Sequence, residues 1–231
     1  MKRVVQELLD WSEVWALLIP LVVLVLRKPA EKWVKPLKFY LITALLINLA
    51  ADIIWKRYLL YLNGWMTSHL SYFYSANGDF DNTILYNIHS AIRFTLFIIF
   101  FSYLGRTFKK LNWVLPAVYG ISFMILFLFY RDIRDFNSLL LAEETALLLI
   151  YCLTYYLLII RDEESTVKKS PAFWAVTGIS IYVVINFPIF LFYNALAKQA
   201  RNFAIDIWDV HNISYLVFCL LIAKSFYVAR R

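Results

Sequence analysis

Apolar residues in this chain run in long blocks separated by short polar clusters. A window of about 19 residues finds seven such blocks, each close to the roughly 20 residues that cross a bilayer as a helix. They cover about 9–27, 37–55, 83–104, 111–130, 137–160, 173–196 and 207–228. The pattern predicts an all-α polytopic membrane protein, a seven-helix transmembrane bundle forming a single domain over residues 1–231. The first block is the most interrupted, because Asp10 and Glu13 leave Val14 through Leu26 as its unbroken core. Those acids, and the lack of a small-residue cleavage site after the block, predict that it is retained rather than removed as a leader. Pro20, Pro116 and Pro188 fall within spans, where each removes a backbone donor and can kink the helix. Pro188 follows Asn186, which brings a freed carbonyl and a polar amide to one level of the sixth span.

Composition strengthens this reading. Of 231 residues, 62% are apolar and 17% charged, and mean hydropathy is +0.64. A soluble enzyme of this size cannot hide that much apolar surface. With 19 Phe, 16 Tyr and 8 Trp against 5 Gly and 6 Pro, the chain does not read as disordered either. The tryptophans, Trp11, Trp15, Trp33, Trp55, Trp65, Trp113, Trp174 and Trp208, fall near span ends, as an interfacial belt requires. Cys152 and Cys219 lie in apolar blocks, where they act as small hydrophobes.

The net charge of +7 is distributed by loop rather than gathered into a nucleic-acid patch, so nucleic acid is excluded as a partner. The 1–2, 3–4 and 5–6 loops and the tail carry thirteen basic residues, among them Arg27, Lys28, Lys32, Lys35, Lys38, Lys110, Arg161 and Arg230, against eight on the other side. The positive-inside rule then places the N-terminus outside and the C-terminus in the cytoplasm of a cell membrane. The loop between the second and third spans, about 56–82, is aromatic and suits a lid or an interfacial anchor over the outer face. Asn77, Asp79 and Asp81 alternate there as in a calcium loop, but the required glycine and glutamate are missing. The stretch reads as a turn, with Asp81 or Asn82 capping the third span.

Ionisable residues inside apolar helices are costly and mark candidate sites. Here they are Asp52, His89, Arg93, Glu143, Glu144 and His211, with Asn48, Asn186 and Asn212 beside them. Counted from the ends of their own helices, nearly all lie in the outer half and are able to converge on one outward-facing polar cavity. Asn48 and Asp52, His89 and Arg93, and His211 and Tyr215 are each four apart and so share a helix face. Arg93, the deepest, demands a carboxylate, with Glu144 or Asp52 the expected partner. The competing reading is a buried structural ion-pair network that binds nothing. His89, His211 and Glu144 also supply ligand types that zinc accepts, but no HxxxH or HExxH spacing occurs. No metal or other cofactor is expected.

Walker, GxGxxG and GxSxG motifs are absent. Lys224 on the seventh span reads as snorkelling to the inner interface. Seven spans with the N-terminus outside resemble the layout of seven-helix receptors and sensor modules. The leading expectation is a receptor-like module that binds a small-molecule ligand in the outer cavity and signals through a cytoplasmic or membrane partner. An intramembrane enzyme, metal-assisted or acid–base, and a proton-coupled small-molecule transporter remain as alternatives. The apolar inner halves of spans 2, 3 and 5 count against a through-path.

Overall fold

The computed structural model describes residues 8–9, 11–55, 83–105, 108–129, 138–161 and 170–230. Among them the fold is all helical. Seven helices stand on the seven apolar blocks: α1 Ser12–Arg27, α2 Val34–Trp55, α3 Thr83–Ser102, α4 Phe108–Phe129, α5 Ser138–Arg161, α6 Pro171–Gln199 and α7 Arg201–Val228. Five contain stretches long and apolar enough to cross a membrane: Val34–Ala51, Leu85–Ser102, Ser138–Arg161, Pro171–Gln199 and Phe203–Val228. In α4 the apolar stretch, Lys110–Leu126, is shorter. The 16 residues of α1 make a helix of about 24 Å, short of the roughly 30 Å hydrocarbon core. The aromatic loop at 56–82, its Asp81 and Asn82 caps, Asp10 and the first seven residues lie outside the described residues.

Local signals explain the helix ends. Ser170 caps α6, its Oγ accepting from the Phe173 N–H at 3.2 Å, and Pro171 takes the first helical position, where no N–H is needed. Lys28 closes α1 in the left-handed region at φ 50°, its N–H returning to Leu24 O. Ala200 alone separates α6 from α7, making a tight helical hairpin. Pro20, Pro116 and Pro188 all sit inside helices that continue past them.

The helices form a ring in the order α1, α2, α3, α5, α6, α7, with α1 packed on α7 to close it and α4 seated outside against α3 and α5. Neighbours in sequence run antiparallel. The Ala30 N–H donates to Arg230 O at 3.1 Å and Lys224 Nζ stands 3.7 Å from the Trp174 ring centroid, so these groups share one end, called here the basic end. The ring interior at this end is aromatic: Tyr40, Phe97, Phe100, Phe101, Phe218 and Phe226 are all fully buried. Trp33, expected in the interfacial belt, instead packs inside this layer between Phe100 and Phe226. The outer surface is apolar, as a lipid-facing bundle requires, with Val22, Leu26, Phe39, Leu46, Ile121 and Leu157 all exposed.

Candidate functional site

Towards the other end the ring interior turns polar. The deepest element is a buried ion pair between α3 and α5. Arg93 Nε donates to Glu144 Oε1 at 2.6 Å and Nη2 donates to Glu144 Oε2 at 2.7 Å, a two-pronged pair whose side chains are 7% and 0% exposed. The third nitrogen, Nη1, donates to Tyr182 Oη on α6 at 2.9 Å. Ser90 Oγ donates to Glu144 Oε2 and therefore accepts from Tyr119 Oη of α4, 3.0 Å away. Four helices are thus joined through one neutral pair.

A second network links α1, α6 and α7. Asn186 Nδ2 donates to Tyr182 O and to Ser214 Oγ, both at 2.8 Å, which turns its amide oxygen to accept from His211 Nδ1. With that nitrogen protonated, the 2.9 Å contact between His211 Nε2 and Glu13 Oε1 requires one further proton between them, so this pair is also neutral overall. Asn48 Nδ2 of α2 donates to the backbone carbonyl of Glu13 at 2.9 Å, and the Trp208 ring stacks on His211 at 4.6 Å.

Between the two networks lies a cavity of about 40 Å³, lined by Glu13, Asn48, Tyr86, His89, Ser90, Arg93, Leu141, Tyr182, Phe190, Trp208, His211 and Tyr215. Three polar atoms on its wall, His89 Nε2, Asn48 Oδ1 and Tyr215 Oη, are buried and without a hydrogen-bond partner among the described residues. Such atoms cost about 1–3 kcal/mol each in an apolar interior, and clustering around one space is what a polar guest would repay.

Of the residues expected at the site, His89, Arg93 and His211 line the cavity, while Glu144 and Asn186 stand behind them as the partners that orient Arg93 and His211. Glu143 does not belong with them. It is half-buried, and its carboxylate accepts from Ser122 Oγ of α4 at 2.7 Å, because successive residues of a helix point about 100° apart. Asn212 is buried but is not among the cavity-lining residues. Asp52 falls in α2, with its side chain outside the described set. The partner of Arg93 is Glu144.

Glu13 is the main residue missed. Read along the chain, it only shortens the first apolar block, whereas an acid inside such a block is itself the signal of a site. Ser90 and Tyr182 are polar groups too common on membrane helices to have been singled out. As for a metal, among the described residues no group of three or more His, Cys, Asp or Glu is placed to hold one. Both ring nitrogens of His211 and both oxygens of Glu144 are already engaged, so the set His89, His211 and Glu144 does not fit a metal ion. Comparison with protein-family models, with curated proteins and with solved structures returns no match.

Proposed function

We propose that the chain is a seven-span, multi-pass protein of the cell membrane, N-terminus outside, that binds a small uncharged polar molecule in the cavity between the two networks and reports its presence through the lining helices. The observation that carries this reading is the set of buried, unpartnered polar atoms, His89 Nε2, Asn48 Oδ1 and Tyr215 Oη, on the wall of a cavity of about 40 Å³. A single water needs about 10–15 Å³ by the same kind of measure, so the guest has roughly three or four non-hydrogen atoms. Neutrality of both flanking pairs favours an uncharged guest, because an ion would enter a water-poor site with no counter-charge left. At a ceiling of about 1.5 kcal/mol per atom, such a guest binds with a Kd of tens of micromolar at best.

Sensing is favoured over transport by what lies beneath the cavity. Tyr40, Phe97, Tyr182 and Phe218 form a contiguous aromatic floor, with ring centroids 4.8 Å apart for Tyr40 and Phe97 and 5.7 Å for Tyr182 and Phe218. A polar guest would stop there. Glu13 and His211 tie α1 to α7 at the rim, so a guest that competes for either bond shifts the packing of those two helices.

The test uses thermal unfolding of the detergent-purified protein in millimolar formamide, acetamide or ethylene glycol, with ammonium and acetate as charged controls. The neutral probes should raise Tm and the ions should not. His89→Phe, whose extra bulk enters the cavity, should be at least as stable as wild type and should lose the response. If it is less stable by more than about 1 kcal/mol, His89 belongs to a structural network and the ligand reading fails. Equal responses of wild type and variant sink it as well.

A further inference from the structure

The elbow between α1 and α2, at the basic end, encloses a second and chemically different space. It measures about 410 Å³, and its floor is apolar, built from Leu24, Val25 and Val34. Its rim carries Lys28, Lys35 and Lys38. The left-handed turn at Lys28 folds the chain back so that this lysine faces the first turns of α2, where Lys35 and Lys38 are three apart and share a face. Among the described residues no carboxylate lies within ion-pair distance of any of the three. Glu31, the one acid in the lining, has Oε1 committed to the Arg230 N–H at 2.7 Å. The elbow therefore holds three cations against one anion, above an apolar floor.

From this juxtaposition we infer that the α1–α2 elbow is a binding site for the headgroup phosphate of an anionic phospholipid. The inference rests on the membrane placement proposed above but not on the polar cavity. Lysines at the headgroup level are each attracted to an anionic leaflet, and a basic pocket between helices on that side selects a phosphate. What favours a lipid over free phosphate is the floor. Leu24, Val25 and Val34 run on into the exposed apolar flank of Val22, Leu26 and Phe39, which are 56%, 70% and 58% exposed, so a glycerol and the first carbons of its chains have a surface to follow. The phosphate sits among lysines while the chains lie along α1 and α2.

The experiment places the full chain in phosphatidylcholine nanodiscs with or without a minor fraction of phosphatidylglycerol, or with inorganic phosphate. It reads Tm together with the lipid retained by native mass spectrometry. The site variant is Lys28→Gln/Lys35→Gln/Lys38→Gln, and the control is Lys110→Gln/Arg161→Gln/Lys198→Gln, which loses the same charge elsewhere. Phosphatidylglycerol should raise Tm and be retained by wild type and control. Retention should fall by about fivefold for each site lysine removed, tested also with Lys35→Gln alone. Equal retention by site variant and control overturns the inference, as does wild type with no preference for phosphatidylglycerol while folded in both discs. A Tm rise with inorganic phosphate alone overturns the lipid assignment in favour of a soluble anion. Failure to enter phosphatidylcholine discs as a folded protein removes the membrane placement itself.

Discussion

Arg93 and Glu144 show how a single costly residue organises its surroundings. A guanidinium among apolar helices is tolerated only if its charge is met, and Glu144 and Tyr182 accept from all three of its nitrogens from two neighbouring helices. Removing one partner strands the other. Arg93→Ala and Glu144→Ala should each lose about 3–5 kcal/mol, whereas the double replacement Arg93→Met/Glu144→Met should lose much less than their sum, since both charges leave together. Thermal unfolding of the four proteins in detergent gives the comparison, and wild-type stability for Arg93→Ala would falsify the pairing. This much was legible from the chain, because the cost of an unpaired Arg93 left only acids as candidates. The bond between Glu13 and His211 was not, as 198 positions separate them and no spacing rule spans a closed ring.

The helices themselves were more legible than their partners, and the α6–α7 hairpin shows why. Long apolar runs fix where helices form, but which faces meet depends on small residues that hydropathy barely registers. Gly178 is such a residue. A Cβ placed there would stand 3.1 Å from Leu221 Cβ and 3.3 Å from Phe218 O, so α7 presses directly on the α6 backbone. Gly120 on α4 has nothing within 4 Å of the same point. Gly178→Leu should force the hairpin apart and lose about 1–3 kcal/mol, while Gly120→Ala should be neutral or raise Tm slightly through helix propensity. Equal Tm changes in the two variants would mean that the close approach is not made. Trp33 illustrates the same limit from another side. Its position near a helix end suits an interfacial anchor, and only the ring closure by α1 and α7 reveals that this end has an interior for it to fill.

At the scale of the whole molecule, the two ends of the bundle differ in charge as well as in chemistry. Among the described residues the basic end presents Arg27, Lys28, Lys32, Lys35, Lys38, Arg161 and Arg230, with Glu31 as the acid among them. Among the described side chains the cavity end carries Glu13, Asp206 and Asp209 beside Lys198. In the orientation proposed above, with the basic loops in the cytoplasm, the polar cavity would stand in the outer half, floored by aromatic rings towards the cell interior. Both native cysteines are fully buried, so a single introduced thiol reports its own side of the membrane. In intact cells a membrane-impermeant maleimide should label Gln199→Cys, at the cavity end, and should reach Lys32→Cys only after permeabilisation. The opposite pattern would invert the bundle and leave the cavity facing the cytoplasm, where the same neutral guest would be an internal metabolite rather than an external signal. Labelling of both positions in intact cells would mean that the helices between them do not cross the membrane.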